Sequence, residues 1–383
     1  MKYFLFFLMV FLMFSLLAQE PENTPSVFNN IELNEVELEN KKTEESDQKF
    51  LKSKKDLSAP VRSPRQTNSK YKNTYSSQYS QSKQALETET KRVKYQTNSR
   101  SPSIQSQQRM DHELELLKEL DDQSFDYHLY RYLSGNYDVS KQNSLYKAIE
   151  IDSSNTSVQQ LLVANSVVKG DYNEAKKYLI KLAKSGSLSQ ETIAYTEDVL
   201  KSSAENEILL THGTNDSFGC FYNQYVVYNQ FNSTLVISLD LLKSQSYREL
   251  LLKKGINLPD LETVDVQYFK EFCDLNASKG ISISMTFPID YLRPISKQLI
   301  PFGLVFRTGK QVPLCASDLE KLWNNSFNKK NLNHFHSKES RNYSKNYLPT
   351  QTILKSYHKA NKGRMYMNSI KGQKVTKQKI DKE

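Results

Sequence analysis

The sequence predicts an α/β protein. Helical repeat-like hairpins lead into a small, largely parallel α/β sandwich domain, between a disordered N-terminal spacer and a basic C-terminal tail. Three observations carry this. Apolar residues recur at helical spacing between Asp111 and Leu200, with Gly breaks between the runs. From Ala204 short apolar runs alternate with helical ones, which implies crossover units and a parallel sheet. On either side Ser, Gln, Asn and Lys dominate, and such composition buries too little apolar surface to offset chain entropy.

The chain opens on Lys2, an apolar run from Tyr3 to Leu17, and Ala18. A basic start, an apolar core of ~7–15 residues and a small residue at its end make a secretory signal peptide, residues 1–18. Leu16 stands where a small residue is preferred, so an uncleaved anchor is the alternative. The run falls short of the ~20 apolar residues of a spanning helix, and no later segment is apolar enough. No Cys follows it, which argues against a lipid anchor on a thiol. The mature chain is expected to be exported: periplasmic, cell-surface or secreted, without a transmembrane span. Residues 19–110 read as the disordered spacer. Within it Ile31–Leu38 alternates apolar and acidic residues like a lone strand, and the Tyr residues of 69–79 sit among polar neighbours.

The helical segment, 111–203, begins with Asp111–Leu120, which puts Leu114, Leu117 and Leu120 on one face behind an Asp111 N-cap. Ser124–Leu133 and Lys141–Ile149 follow. Asn155–Lys169 carries Val158, Leu161, Leu162 and Val168 at helical spacing and stops at Gly170. Tyr172–Ser185 carries Ala175, Tyr178, Leu179 and Leu182 and stops at Gly186, a favoured residue past a C-terminus. Ser189–Leu200 supplies the next helix. The α/β domain, 204–310, then reads as a strand at Ile208–Thr211, a helix near Phe218 capped by Asp216 or Ser217, and a strand at Leu235–Leu239. Helices at Ser244–Lys254 and Val266–Leu275, a strand at Gly280–Pro288, a helix at Asp290–Gln298 and a strand at Phe302–Arg307 complete it.

The net charge of +9 belongs to the end of the chain. Asn325–Glu383, read as a basic flexible tail, holds fourteen Lys or Arg against three Asp or Glu. Cys220, Cys273 and Cys315 are odd in number and widely spaced, which fits neither a zinc site nor a disulfide framework. One bridge in an oxidising compartment and buried free thiols both remain open.

Two resemblances follow from quoted residues. Tyr146–Asn155, a helix, and Lys169-Gly-Asp-Tyr-Asn-Glu-Ala175 resemble a tetratricopeptide unit, an antiparallel helical pair joined by a Gly-Asp-Tyr-type turn. A generic helical bundle would pack the same way. Gly213-Thr-Asn-Asp-Ser-Phe218, Val236-Ile-Ser-Leu-Asp-Leu-Leu242, Pro288-Ile-Asp-Tyr-Leu292 and Gly303-Leu-Val-Phe-Arg307 resemble four blocks, in the same order, of a soluble C-terminal module. That module ends a bacterial family of multi-spanning, glycosyltransferase-like membrane proteins. This sequence lacks the membrane half where transfer would occur, so the resemblance implies a shared soluble module rather than a transferase.

His212, Asn215, Asp216 and Ser217 follow the first strand, where open α/β sheets gather ligands. Asn215 and Asp216 could bond sugar hydroxyls, and the helix N-terminus favours an anionic group. The same residues serve tight turns and helix caps. Ser217 lacks the Gly-x-Ser-x-Gly turn that exposes a nucleophile. Phe221, Tyr225 and Tyr228 share a helix face suited to core packing, with sugar stacking as the alternative. In the tail, His334 and His336 are too isolated for a metal, and Lys and Arg interleave with Tyr343, Tyr347, Tyr357 and Tyr366. Neither a cofactor motif nor a metal-ligand pattern stands out, and an exported chain disfavours nucleic acid. The expected function is an exported, non-enzymatic binding or scaffolding protein, its hairpins facing a protein partner or an anionic envelope polymer. The competing class is a carbohydrate- or phosphate-directed enzyme or binder at the Thr211–Ser217 turn. An open cleft at Asn215 and Asp216 would favour that class, and a turn closed by its own hydrogen bonds would not.

Overall fold

Helix begins well before composition suggests. The computed structural model describes residues 66–203, 207–227, 231–309 and 315–361, with side chains from Thr74 onward, and α1 spans Gln66–Tyr95. The expected signal peptide, residues 19–65 of the spacer and residues 362–383 lie outside the described residues. Residues 66–110 are not spacer. Tyr79, Ser82, Leu86, Glu89 and Val93 step by threes and fours along α1, and the last four are buried. Two positions of that stripe are polar, which hides it. Leu86 packs with Met110, Leu114 and Leu117 of α2 (Ile104–Asp121) and with Tyr127 and Tyr130 of α3 (Phe125–Leu133). Buried Glu89 accepts from Ser106 Oγ at 3.0 Å and pairs with Arg109 at 3.2 Å. Ser103, rather than Asp111, caps α2 by accepting from Ser106 N.

Four helices follow: α4 (Gln142–Ile151), α5 (Thr156–Lys169), α6 (Tyr172–Ser185) and α7 (Gln190–Ser202). Asn155, Asp171 and Ser189 cap the last three through their side chains. Gly170, at φ 74°, turns the chain between α5 and α6, a left-handed conformation that costs glycine little.

The α/β part comprises β1 (Ile208–Thr211), α8 (Gly213–Tyr222), β2 (Leu235–Ser238), α9 (Gln245–Lys253), α10 (Val266–Leu275), β3 (Ile281–Ser284), α11 (Ile289–Leu292), β4 (Ile300–Phe302) and β5 (Val305–Thr308). The strand order is β2-β1-β3-β5-β4. β2, β1 and β3 run parallel, with Thr211 opposite Ser238 and Leu210 opposite Ile283. β5 runs antiparallel to β3, and β4 to β5. The expected Phe302–Arg307 strand is thus a hairpin, reversed at Gly303 (φ 60°) and Leu304. The sheet is mixed, with parallel pairing confined to three strands.

The hairpins and the sheet share one core. α5 is buried on nearly every face, because α9 packs on it beside α4 and α6. α7 lies on α8 so closely that a Cβ at Gly219 would sit 2.5 Å from Thr196 Oγ1. The core continues to Phe327 and Tyr347, so the tail expectation also needs correction. α12 (Ala316–Lys321), α13 (Lys330–Asn333), α14 (Lys338–Lys345) and helical backbone over 348–361 form the end of the described chain. Tyr343 stacks on Tyr195 of α7 at 4.3 Å, and Tyr347 meets the edges of Tyr195, Trp323 and Phe327. Asp198 of α7, wholly buried, accepts from Asn328 N (2.8 Å), Lys329 N (3.1 Å) and the Tyr347 hydroxyl (2.8 Å). Lys338, Arg341, Lys345 and Lys355 point outward, so the segment is basic on its surface and aromatic within. Its composition averages those two faces into apparent disorder.

No described helix is long and apolar enough to cross a membrane. Cys220 and Cys273 are buried free thiols, and Cys315 is exposed and free.

Candidate functional site

β1 is the switch point of the parallel strands. The chain leaves it toward β2 on one side and returns to β3 on the other, and ligands favour the carboxyl end of such a strand. His212 follows β1 directly and precedes α8, which starts at Gly213 rather than near Phe218.

The four expected residues do not converge. Asn215 is exposed. Asp216 turns inward and is 5% exposed. Its Oδ2 accepts from His212 N (2.9 Å) and Thr286 Oγ1 (2.9 Å), and its Oδ1 from Ser284 Oγ (3.2 Å). Burial pushes its pKa up to about 6, against those hydrogen bonds. Ser217 faces the sheet, bonded to Thr211 Oγ1 (2.9 Å) and donating to Ser238 Oγ (2.9 Å). The Tyr195 hydroxyl lies near Asp216 and Ser284 and accepts from Asn346 Nδ2 at 2.9 Å. The C-terminal helices therefore roof this half of the turn. It is closed by its own hydrogen bonds, and neither buried group is offered to a substrate.

His212 faces the other way. Its ring lies 5.6 Å from Phe287, and Nε2 is buried without a hydrogen-bond partner among the described residues. Burial, then nearby Arg100, push its pKa down to about 4, with Asp240 opposing. Arg100 and Asp240 are its charged neighbours, Lys243 lies near both of those, and none of the three stands out in the sequence. Arg100 lies in what reads as spacer, and Asp240 and Lys243 occupy a short turn after β2.

Two depressions lie elsewhere. One, about 640 Å³, is a broad trough along Gln96–Ile104 and Thr263–Gln267. The other, about 380 Å³, opens toward the start of β2, where the α5–α6 turn meets the sheet. Val167, Tyr172, Phe221, Tyr225, Tyr247 and Lys254 line it, and among the described residues no Asp or Glu does. Tyr172 and Tyr225 are 4.9 Å apart, and Lys254 Nζ donates to the Tyr172 hydroxyl at 2.5 Å. None of His212, Asn215, Asp216 or Ser217 lines either depression. Among the described residues, no cluster of three His, Cys, Asp or Glu could hold a metal.

No known protein family, curated protein or solved structure matches this chain. The resemblances to tetratricopeptide repeats and to the glycosyltransferase-like module rest on their quoted motifs alone.

Proposed function

We propose that this chain is an exported, non-enzymatic binding protein of the bacterial envelope. Its ligand is an anionic envelope polymer, an acidic sugar ring of which sits in the recess between the α5–α6 turn and the sheet. That recess carries the reading. Its volume of about 380 Å³ falls within the range of small-ligand sites, and it lies where two substructures meet. Tyrosine faces suit the apolar face of a sugar ring, and the Lys254 ammonium, with no carboxylate among the described residues of the wall, suits an acidic one. The expected sugar-stacking alternative for Tyr225 thus has a place to act. The hairpins contribute through Val167 and Tyr172, while most of α5 is spent on the core. Export rests on the Lys2–Ala18 pattern. The closed Asp216–Ser217 half of the turn disfavours the competing enzyme.

Calorimetric titration of the mature chain with oligoglucuronate, against neutral cello-oligosaccharide, tests the recess. Saturable binding of the acidic sugar alone is expected, weakened about tenfold in Lys254→Ala, as fits loss of one charged hydrogen bond of ~1.5 kcal/mol. Equal binding of the neutral sugar, or unchanged affinity in both Lys254→Ala and Tyr225→Ala, contradicts it. N-terminal sequencing tests export, since an intact Met1 recovered from the cytosol would refute it.

A further inference from the structure

The carboxyl edge of the parallel strands holds a second group of polar side chains, on the opposite edge of the sheet from the tyrosine recess. We infer that Arg100, His212, Asp240 and Lys243 form a binding site for a phosphate group. The residues come from three places: the link between α1 and α2, the end of β1 and the turn after β2. Tyr137 and Tyr291 wall the site, with Lys243 Nζ 5.1 Å from the Tyr137 ring and the Arg100 guanidinium 5.9 Å from the Tyr291 ring.

Charge is the first argument. Arg100 is 5% exposed, and its Nη1 lies 3.8 Å from Asp240 Oδ1, at the outer limit of an ion pair. Lys243 is drawn to the same carboxylate and repelled by Arg100, and burial lowers its pKa. Two cations share one anion, which leaves a positive charge uncompensated in a poorly solvated place. Such a charge is costly unless something pairs with it.

Unmet hydrogen bonds are the second. Arg100 Nε and His212 Nε2 are both buried without a hydrogen-bond partner among the described residues. The rest of the guanidinium is held fast, because its Nη atoms donate to Lys94 O and Gln96 O at the end of α1. Arg100 is thus fixed in place with its Nε–H unpaired. The first turn of the ten-residue α8 begins beside His212, and its free backbone N–H groups add positive potential at the same edge. A phosphate supplies the missing negative charge and several acceptor oxygens at once. A neutral His212 offers an N–H without adding to the repulsion. His212, Asp240 and Lys243 are each only partly buried, so the group borders solvent.

The probe is inorganic phosphate, added to the mature chain at fixed ionic strength set with chloride. Three results are expected: saturable calorimetric binding, a rise in Tm with phosphate concentration, and an upward shift of the His212 imidazole pKa by NMR. Lys243→Met, at a half-buried position, should keep its circular dichroism spectrum and lose at least tenfold in phosphate affinity. Arg100→Lys, which keeps the charge and loses the fork, should weaken binding by a smaller factor. Tyr225→Ala should leave phosphate binding intact, so failure here and failure at the tyrosine recess are told apart. Phosphate acting no differently from chloride, acetate binding more tightly than phosphate, or an unmoved His212 overturns the assignment.

Discussion

The two halves of the turn after β1 are a few residues apart and built on opposite terms. On one side Asp216, Ser217, Ser284 and Thr286 satisfy one another and lie beneath Tyr195 and the C-terminal helices. On the other, Arg100 and His212 are each left with an unpaired ring or guanidinium nitrogen, and Arg100 and Lys243 both face Asp240. Buried polar groups in folded proteins are paired as a rule, and one left unpaired calls for an explanation, which the proposed phosphate supplies here. The contrast separates residues that hold the turn from residues that await a ligand, although all are of types suited to chemistry.

The largest expected effect comes from removing the roof. Truncation after Asn324 deletes Phe327, Tyr347 and the backbone N–H groups that pair with Asp198. Burial of one large apolar side chain alone contributes ~1.5–3 kcal/mol, so cooperative thermal unfolding should be lost. A truncated chain that melts at the full-length Tm would show that the closed half needs no roof.

Next in size is Asp216→Ala. It strands His212 N and leaves the Ser284 and Thr286 hydroxyls only each other. At ~1–3 kcal/mol for a buried group left unpaired, a loss of about 2–4 kcal/mol is expected in urea unfolding. Tyr347→Phe removes one of three donors to Asp198 and should cost about 1–2 kcal/mol. A cost below about 0.5 kcal/mol for either would mean the pairing is not structural.

The halves should also respond oppositely to acid. Asp216 is raised from 3.8 to about 6, mainly by burial, so its contribution is full below pH 3.8 and is lost as pH rises through about 6. His212 is lowered from 6.5 to about 4, again mainly by burial, so its contribution is full above pH 6.5 and is lost as pH falls through about 4. Between pH 6 and 4 the two offset each other. Asp216→Asn should lose stability more steeply on acidification than wild type, and His212→Gln less steeply. Parallel stability curves for all three proteins would contradict the assignment of these shifts.

Much of the fold was legible because its signals are local. Gly170 and Gly186, the caps at Asn155, Asp171 and Ser189, and the apolar runs at Ile208 and Leu235 each act within a turn or a strand. What escaped depends on partners distant in sequence. The stripe of α1 contains Ser82 and Glu89, and Glu89 is paired there by Ser106 and Arg109. One further sign was present: no Gly or Pro occurs between Pro64 and Pro102. In the C-terminal helices the basic residues mask the inward Tyr343 and Tyr347, whose burial requires Tyr195 and Asp198. At the turn, His212 was readable from its place after a strand, while Arg100 joins it only through the tertiary fold. The Phe302–Arg307 stretch shows the reverse error, since a continuous apolar run concealed a reversal at Gly303.

The division of the turn is tested most directly by measuring Tm with and without phosphate, at matched ionic strength, for wild type, Asp216→Asn and Lys243→Met. The expected result is a double separation. Asp216→Asn should lose Tm more steeply than wild type on acidification but show the same rise on adding phosphate, and Lys243→Met should keep the wild-type Tm but lose the rise. Loss of the phosphate response in Asp216→Asn, or its persistence in Lys243→Met, would contradict the division.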